Sequence, residues 1–259
     1  MSFLIKILNS AFIKNHTKTV ILIWILLILG SVSGIMFVLF LFLGSFTIID
    51  LSRSVRNALL IDAFLSIIFF LQHSIMVRRG FKQWLGEFMP DVYHNAFYGI
   101  NSAIALLLIL VFWQTSPSLI ARADGIIFWL LRALFRICVA GFFWGSKSLG
   151  SFDALGVKPL MRYISNRSDK PQQIIAKGPY RLVRHPLYLF LIVLIWSCPV
   201  LTLDRLIFNI LWTLWIVIGT YLEDRDLHRK FGRQYLEYSS LVPMLIPYQI
   251  TRKKTELPE

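Results

Sequence analysis

Residues 20–49 read VILIWILLILGSVSGIMFVLFLFLGSFTII, a run without a single charged side chain. A helix that crosses the hydrocarbon core of a bilayer needs about 20 mostly apolar residues, and this run exceeds that length. Lys6, Lys14 and Lys18 precede it, but the run is too long for the apolar core of a secretion signal and has no small-residue cleavage site, so it is expected to be retained. Further stretches of the same character follow at 57–77, 95–115, 125–146, 186–203 and 206–222, the last two separated only by Asp204 and Arg205. With 56% hydrophobic, 15% aromatic and 16% charged residues, the chain is too apolar for a water-soluble globule. The expected fold is all-α: a polytopic membrane protein of about six transmembrane helices, the last two forming a helical hairpin.

The net charge of +13 has two readings, a nucleic-acid partner or a membrane topology signal. The distribution favours topology. Between spans, the expected outer connections hold only Arg53, Arg56, Arg122 and Arg205, and Arg132 and Arg136 lie inside a span. Every other Lys and Arg falls before residue 20, after residue 77, between 147 and 184, or after 222. Basic residues accumulate on the cytoplasmic side, so both termini are expected in the cytoplasm, in an inner membrane, with membrane lipids and no nucleic acid as partners. Cys138 and Cys198 both lie in spans, which leaves no disulfide framework and no metal motif to expect.

Three regions follow: an interfacial N-terminal segment over 1–18, a four-helix membrane region over 19–146, and a C-terminal region over 147–259 made of a loop, the hairpin and a tail. Residues 3–13 mix Leu, Ile and Phe with Lys6, as an anchoring interfacial helix would. The 147–185 loop is too short for a separate soluble catalytic domain, so any active site must be built from helix ends and loops. A transporter is disfavoured by the lack of inverted repeats.

Two features inside spans need explanation. Arg132 and Arg136 share one helical face, where an unpaired charge costs about 2.5–3.5 kcal/mol; either a buried acid or lipid head group pairs with them, or they serve an anionic substrate. Asp62, Ser66 and His73 fall within about 40° of each other on a helix. This polar stripe is either packing held by hydrogen bonds or the lining of a cavity, haem included.

Polar residues concentrate at 177–188, KGPYRLVRHPLY. Gly178 and Pro179 make a turn, and Pro186 suits the first position of a helix because its missing N–H would have no partner there. Arg184 and His185 then sit at a helix N-terminus, where free backbone donors and the dipole favour an anion. With the hairpin turn between Asp204 and Arg205, Pro186 and Glu223 are equally distant from it. Glu223 and Asp224 should therefore face Arg184, His185 and Tyr188. Such converging charges suit a bound zwitterion; ordinary interfacial salt bridges would use the same residues, and spacing leaves both readings open.

These residues carry a resemblance. Gly178-Pro179-Tyr180, Arg184-His185-Pro186 with Tyr188, Glu223-Asp224, and the tail Phe231-Gly232, Tyr235, Tyr238 and Val242-Pro243 resemble the integral membrane methyltransferases related to isoprenylcysteine carboxyl methyltransferase and phospholipid methyltransferases. The bacterial methanethiol S-methyltransferase branch is the nearest likeness, through Gln72-His73-Ser74-Ile75-Met76, Arg78, Gly80, Phe81, Pro199 and Leu201-Thr202. The resemblance implies S-adenosyl-L-methionine as donor and a small thiol such as methanethiol as acceptor, giving a thioether. It implies Arg184 and His185 on the donor's carboxylate, Lys177 to Tyr180 as a lid, Tyr188 on the adenosine, and Glu223 with Asp224 toward the cationic end. His185, Glu223 and Arg184 are the implied catalytic residues, and His185 and Asp226 are conceivable bases. Two departures stand out: Phe190 where the family commonly has Gly, expected to narrow a channel beside the donor, and Asp224 in place of a second Glu. Alternative acceptors are a lipid amine or a prenylcysteine carboxylate. The His73-Ser74 feature is also similar to haem-binding NnrU-type proteins.

Overall fold

A computed structural model describes residues 2–150, 153, 155–167 and 173–248, with backbone alone for 2–15; the side chains behind the interfacial reading of 3–13 lie outside the described residues. The helices are α1 (Ser2–Leu43), α2 (Val55–Val77), α3 (Arg79–Gly86), α4 (His94–Phe112), α5 (Gly125–Leu149), α6 (Val157–Ile164), α7 (Pro186–Trp196), α8 (Leu203–Phe231) and α9 (Arg233–Leu241). Among the described residues, five helices are long and apolar enough to cross a membrane: α1 from His16, α2, α4 with the turn that precedes it, α5 and α8. Large apolar side chains remain on their outer faces, among them Trp24, Phe64, Ile126, Trp129 and Ile218, as a lipid solvent requires. The chain is thus an all-α polytopic membrane protein.

The fifth expected span, 186–203, is shorter than composition suggested. Helix α7 has 11 residues, about 16 Å at 1.5 Å per residue, roughly half of a bilayer core. Pro199 ends it: a proline lacks the N–H that continues a helix and pushes the residue before it into extended conformation. Strand β2 (Val200–Thr202) follows and pairs antiparallel with β1 (Leu119–Arg122), in the register Leu119↔Thr202, Ala121↔Leu201 and Arg122↔Val200.

The reversal therefore precedes Leu203, which corrects the placing of Arg205 in an outer loop. Asp204 and Arg205 open α8 and are fully buried. Arg205 donates to the carbonyls of Phe40 (3.1 Å) and Leu41 (3.3 Å) and lies against the Phe40 and Phe208 rings. Asp204 accepts from the Ser45 hydroxyl, from Trp113 Nε1 (3.3 Å) and from the Ser116 N–H (3.0 Å). Buried charges persist when every lone pair and proton finds a partner, and here the neighbouring chain supplies most of them.

By contact the chain divides into two compact units. One draws on 1–37, 68–109 and 153–171, the other on 38–67, 110–152 and 172–259. In the first, Leu26, Ala96, Val157 and Leu160 form a buried cluster, and the imidazole of His73 meets the hydroxyls of Tyr98 and Ser102. In the second, Asp62 accepts the N–H of Gln114 (2.8 Å) and Ser66 accepts from Trp212 Nε1 (3.4 Å). The polar stripe of α2 is thus engaged in packing hydrogen bonds. Arg132 donates to the Phe42 carbonyl and stacks on the Phe42 ring (4.1 Å), so a carbonyl and an aromatic face, rather than an acid, receive its charge.

Candidate active site

The site lies wholly within the second unit, where the start of α7 meets the end of α8. It begins with a 3-10 turn over Gly178–Arg181. Gly178 has φ +58, and a Cβ there would run into the Ser148 hydroxyl and approach Trp144 Nε1 to 3.3 Å. Only glycine combines that backbone with that proximity. The turn buries Pro179 and Tyr180. Two bonds fix it: the Tyr238 hydroxyl donates to the Tyr180 carbonyl (2.6 Å), and Arg181 Nε donates to the Ala176 carbonyl (3.0 Å). Ala176, Tyr235, Tyr238 and Val242 pack as one buried cluster, so α9 holds this loop against the helices.

Asp224 organises the next layer. It accepts two parallel bonds from Arg184, Nε to Oδ1 (2.9 Å) and Nη2 to Oδ2 (3.0 Å), the forked geometry that makes Arg–carboxylate pairs strong. His185 Nε2 (3.1 Å) and the Tyr235 hydroxyl (2.7 Å) also donate to Oδ1. Arg184 Nη1 donates to the carbonyls of Ser239 (2.9 Å) and Val242 (2.8 Å).

Two backbone donors just ahead of this helix start are engaged. The N–H groups of Arg184 and His185 donate to the carbonyls of Pro243 (2.8 Å) and Met244 (3.1 Å). The tail after α9 thus takes the two backbone donors that precede Pro186.

Beside this clamp lies a cavity of about 320 Å³, within the range of small-molecule sites, about 300–1,000 Å³. Tyr180, Arg184, His185, Tyr188 and Glu223 line it, with Phe142, Leu187, Leu191 and Leu227 as its apolar part. The Tyr188 hydroxyl donates to Glu223 Oε2 (2.6 Å), and its ring stacks on His185 at 5.8 Å and 27°. His185 is 5% exposed, whereas Glu223 is exposed on the open side. Burial pushes the Tyr180 phenol up to about 12, and the Glu223 charge adds to the shift. Burial also raises Tyr235, with Asp224 reinforcing it, and Tyr238. All three keep their phenolic protons at neutral pH.

Of the residues singled out from sequence, Tyr180, Arg184, His185, Tyr188 and Glu223 meet in one cavity. Lys177 is exposed, and Lys177, Gly178, Pro179 and Asp224 are not among the lining residues. Asp226 is paired at the surface with Arg229 (3.7 Å). Sequence reasoning gave no role to Tyr235, Tyr238 or the carbonyls of 239–244; their appearance in the tail motif was the one available signal.

Among known proteins, the chain is 34% identical over 202 residues to the methanethiol S-methyltransferase of Crocosphaera subtropica, covering 76% of this chain and 77% of that one. It is 35% identical over 195 residues to the methanethiol S-methyltransferase of Pseudomonas sp., covering 73% and 74%. It is also 28% identical over 185 residues to Nurim of Mus musculus, covering 68% and 70%. No protein-family model matches the chain, and no solved structure matches it.

Proposed function

The chain belongs to the methanethiol S-methyltransferase family, and from this premise we propose that it methylates a small thiol of the methanethiol type, with S-adenosyl-L-methionine as donor. The observation that carries the reading is the meeting of His185, Tyr188 and Glu223 in one cavity whose lining is otherwise largely apolar.

The residues fit such a donor. Glu223 supplies a carboxylate for its cationic end, His185 and the cavity edge of Arg184 face its carboxylate, and Tyr180 and Tyr188 offer aromatic faces. Because Asp224 neutralises Arg184, His185 is the main anion partner, and Arg184 with Asp224 keeps its imidazole in place. Lys177, Gly178 and Pro179 carry Tyr180 as a cover over the cavity.

The donor supplies a methyl group on a positively charged sulfur. The thiol sulfur forms a bond to the methyl carbon as the bond to the donor sulfur breaks. That electron pair stays on the donor sulfur, and the thiol proton leaves to solvent. Thiolate is the reactive form. The protein aligns the reactants, an effect worth about 7–11 kcal/mol at best, and the apolar wall of Phe142, Leu187 and Leu191 keeps water from them. The site sits at the cytoplasmic face of an inner membrane, both termini inside, with lipid around the helices.

The test is purified protein in detergent with labelled donor and methanethiol. Dimethyl sulfide is the expected product, and Glu223→Ala and His185→Ala are expected to lose most of the rate. A wild-type protein that makes none, or two variants with full activity, would overturn the proposal.

A further inference from the structure

Two glycines of α5 face α7 at helical spacing. A Cβ at Gly141 would lie 2.7 Å from the Phe190 ring, and one at Gly145 would lie 2.8 Å from a Leu187 methyl. Gly141 and Gly145 are four residues apart and Leu187 and Phe190 three, so one ridge of α7 is seated in one groove of α5. In lipid the hydrophobic effect does not draw helices together, and small residues that allow close approach take its place.

This seam is also the back of the cavity. Phe142, the neighbour of Gly141, lines the cavity, as do Leu187 and Leu191 on either side of Phe190. Phe190, expected to narrow a channel beside the donor, packs on Gly141 and is not among the residues that line this cavity.

We infer that Phe190, seated on Gly141, fixes the upper size of the thiol acceptor by holding Leu187 and Leu191 in the apolar lining of the cavity. The inference rests on the reading of this cavity as the methyl-transfer site. The wall presents only hydrocarbon, from Phe142, Leu187 and Leu191, so it sorts acceptors by length rather than by charge. Each methylene that an apolar pocket rejects is worth about 10–200-fold in specificity. Truncation of Phe190 leaves Gly141 uncovered and opens space directly behind the wall.

The experiment measures kcat/KM for methanethiol, ethanethiol and butanethiol in wild type, Phe190→Ala and Phe190→Leu, with donor affinity read by calorimetry. The butanethiol-to-methanethiol ratio is expected to rise at least about tenfold in Phe190→Ala and by less in Phe190→Leu, with donor affinity unchanged. If Phe190→Ala is not recovered folded, a several-fold rise in Phe190→Leu supports the inference and an unchanged ratio overturns it. An unchanged ratio in Phe190→Ala, with donor affinity and methanethiol turnover intact, overturns the inference alone. A wild type that turns over no thiol removes the underlying reading and the inference with it.

Discussion

Replacing Asp224 by Asn removes the one negative charge on which Arg184, His185 and Tyr235 converge. Arg184 and Asp224 are only 11% and 12% exposed, so the guanidinium left behind is poorly solvated. Loss of one partner from a buried ion pair costs about 3–5 kcal/mol. The lower end applies here, because Asn keeps one acceptor oxygen and the carbonyls of Ser239 and Val242 still hold Nη1. We expect a loss of about 3 kcal/mol, a shift of about a hundredfold in the folding equilibrium. Denaturant unfolding in detergent micelles measures it, with the slope checked so that the midpoint reports stability. The paired change Arg184→Met with Asp224→Leu is expected to recover most of the loss, because no uncompensated charge remains. A change below about 0.5 kcal/mol for Asp224→Asn, the level of an ordinary surface substitution, would refute the reasoning.

Tyr188→Phe removes the 2.6 Å bond that orients the Glu223 carboxylate; calorimetry should show weaker donor binding, and unaltered binding would contradict the pairing. Gly178→Ala forces a side chain into a positive-φ turn against Ser148, a strain of about 1–3 kcal/mol that should appear as a lowered unfolding midpoint. Tyr180 is raised from 10.0 to about 12, so the folded state holds its proton longer than the unfolded chain does. The resulting stability is complete below pH 10 and lost as pH rises through about 12. A tyrosinate absorbance titration should show a late phase, to which Tyr235 and Tyr238 also contribute, that shrinks in Tyr180→Phe; an unchanged late phase in Tyr180→Phe would contradict its burial.

The charge-free run at 20–49 and its successors were enough to read the all-α membrane architecture, because length and hydropathy are the properties a bilayer selects. The same measure misjudged residues 186–203. Hydropathy does not register that Pro199 stops a helix or that Val200–Thr202 finds a strand partner at Leu119–Arg122. Arg205 was misplaced for a related reason: a charge between two apolar stretches looks like a loop until the carbonyls that bury it are known. The meeting of His185, Tyr188 and Glu223 was legible even though the reversal lies earlier than counted. Extended residues advance more than twice as far as helical ones, so residues 197–202 make up for the shortness of α7. The clamp on Arg184 was not legible, since its carbonyl partners at 239 and 242 and the backbone bonds to 243 and 244 depend on where the tail packs.

The most direct test of a donor site at the junction of α7 and α8 is photolabelling. Irradiation of the protein with radiolabelled S-adenosyl-L-methionine, followed by peptide mapping, should place the label on peptides spanning 173–191 or 223–238, and excess unlabelled donor should abolish it. Label recovered instead on the segments 16–37 or 68–109 would contradict the account.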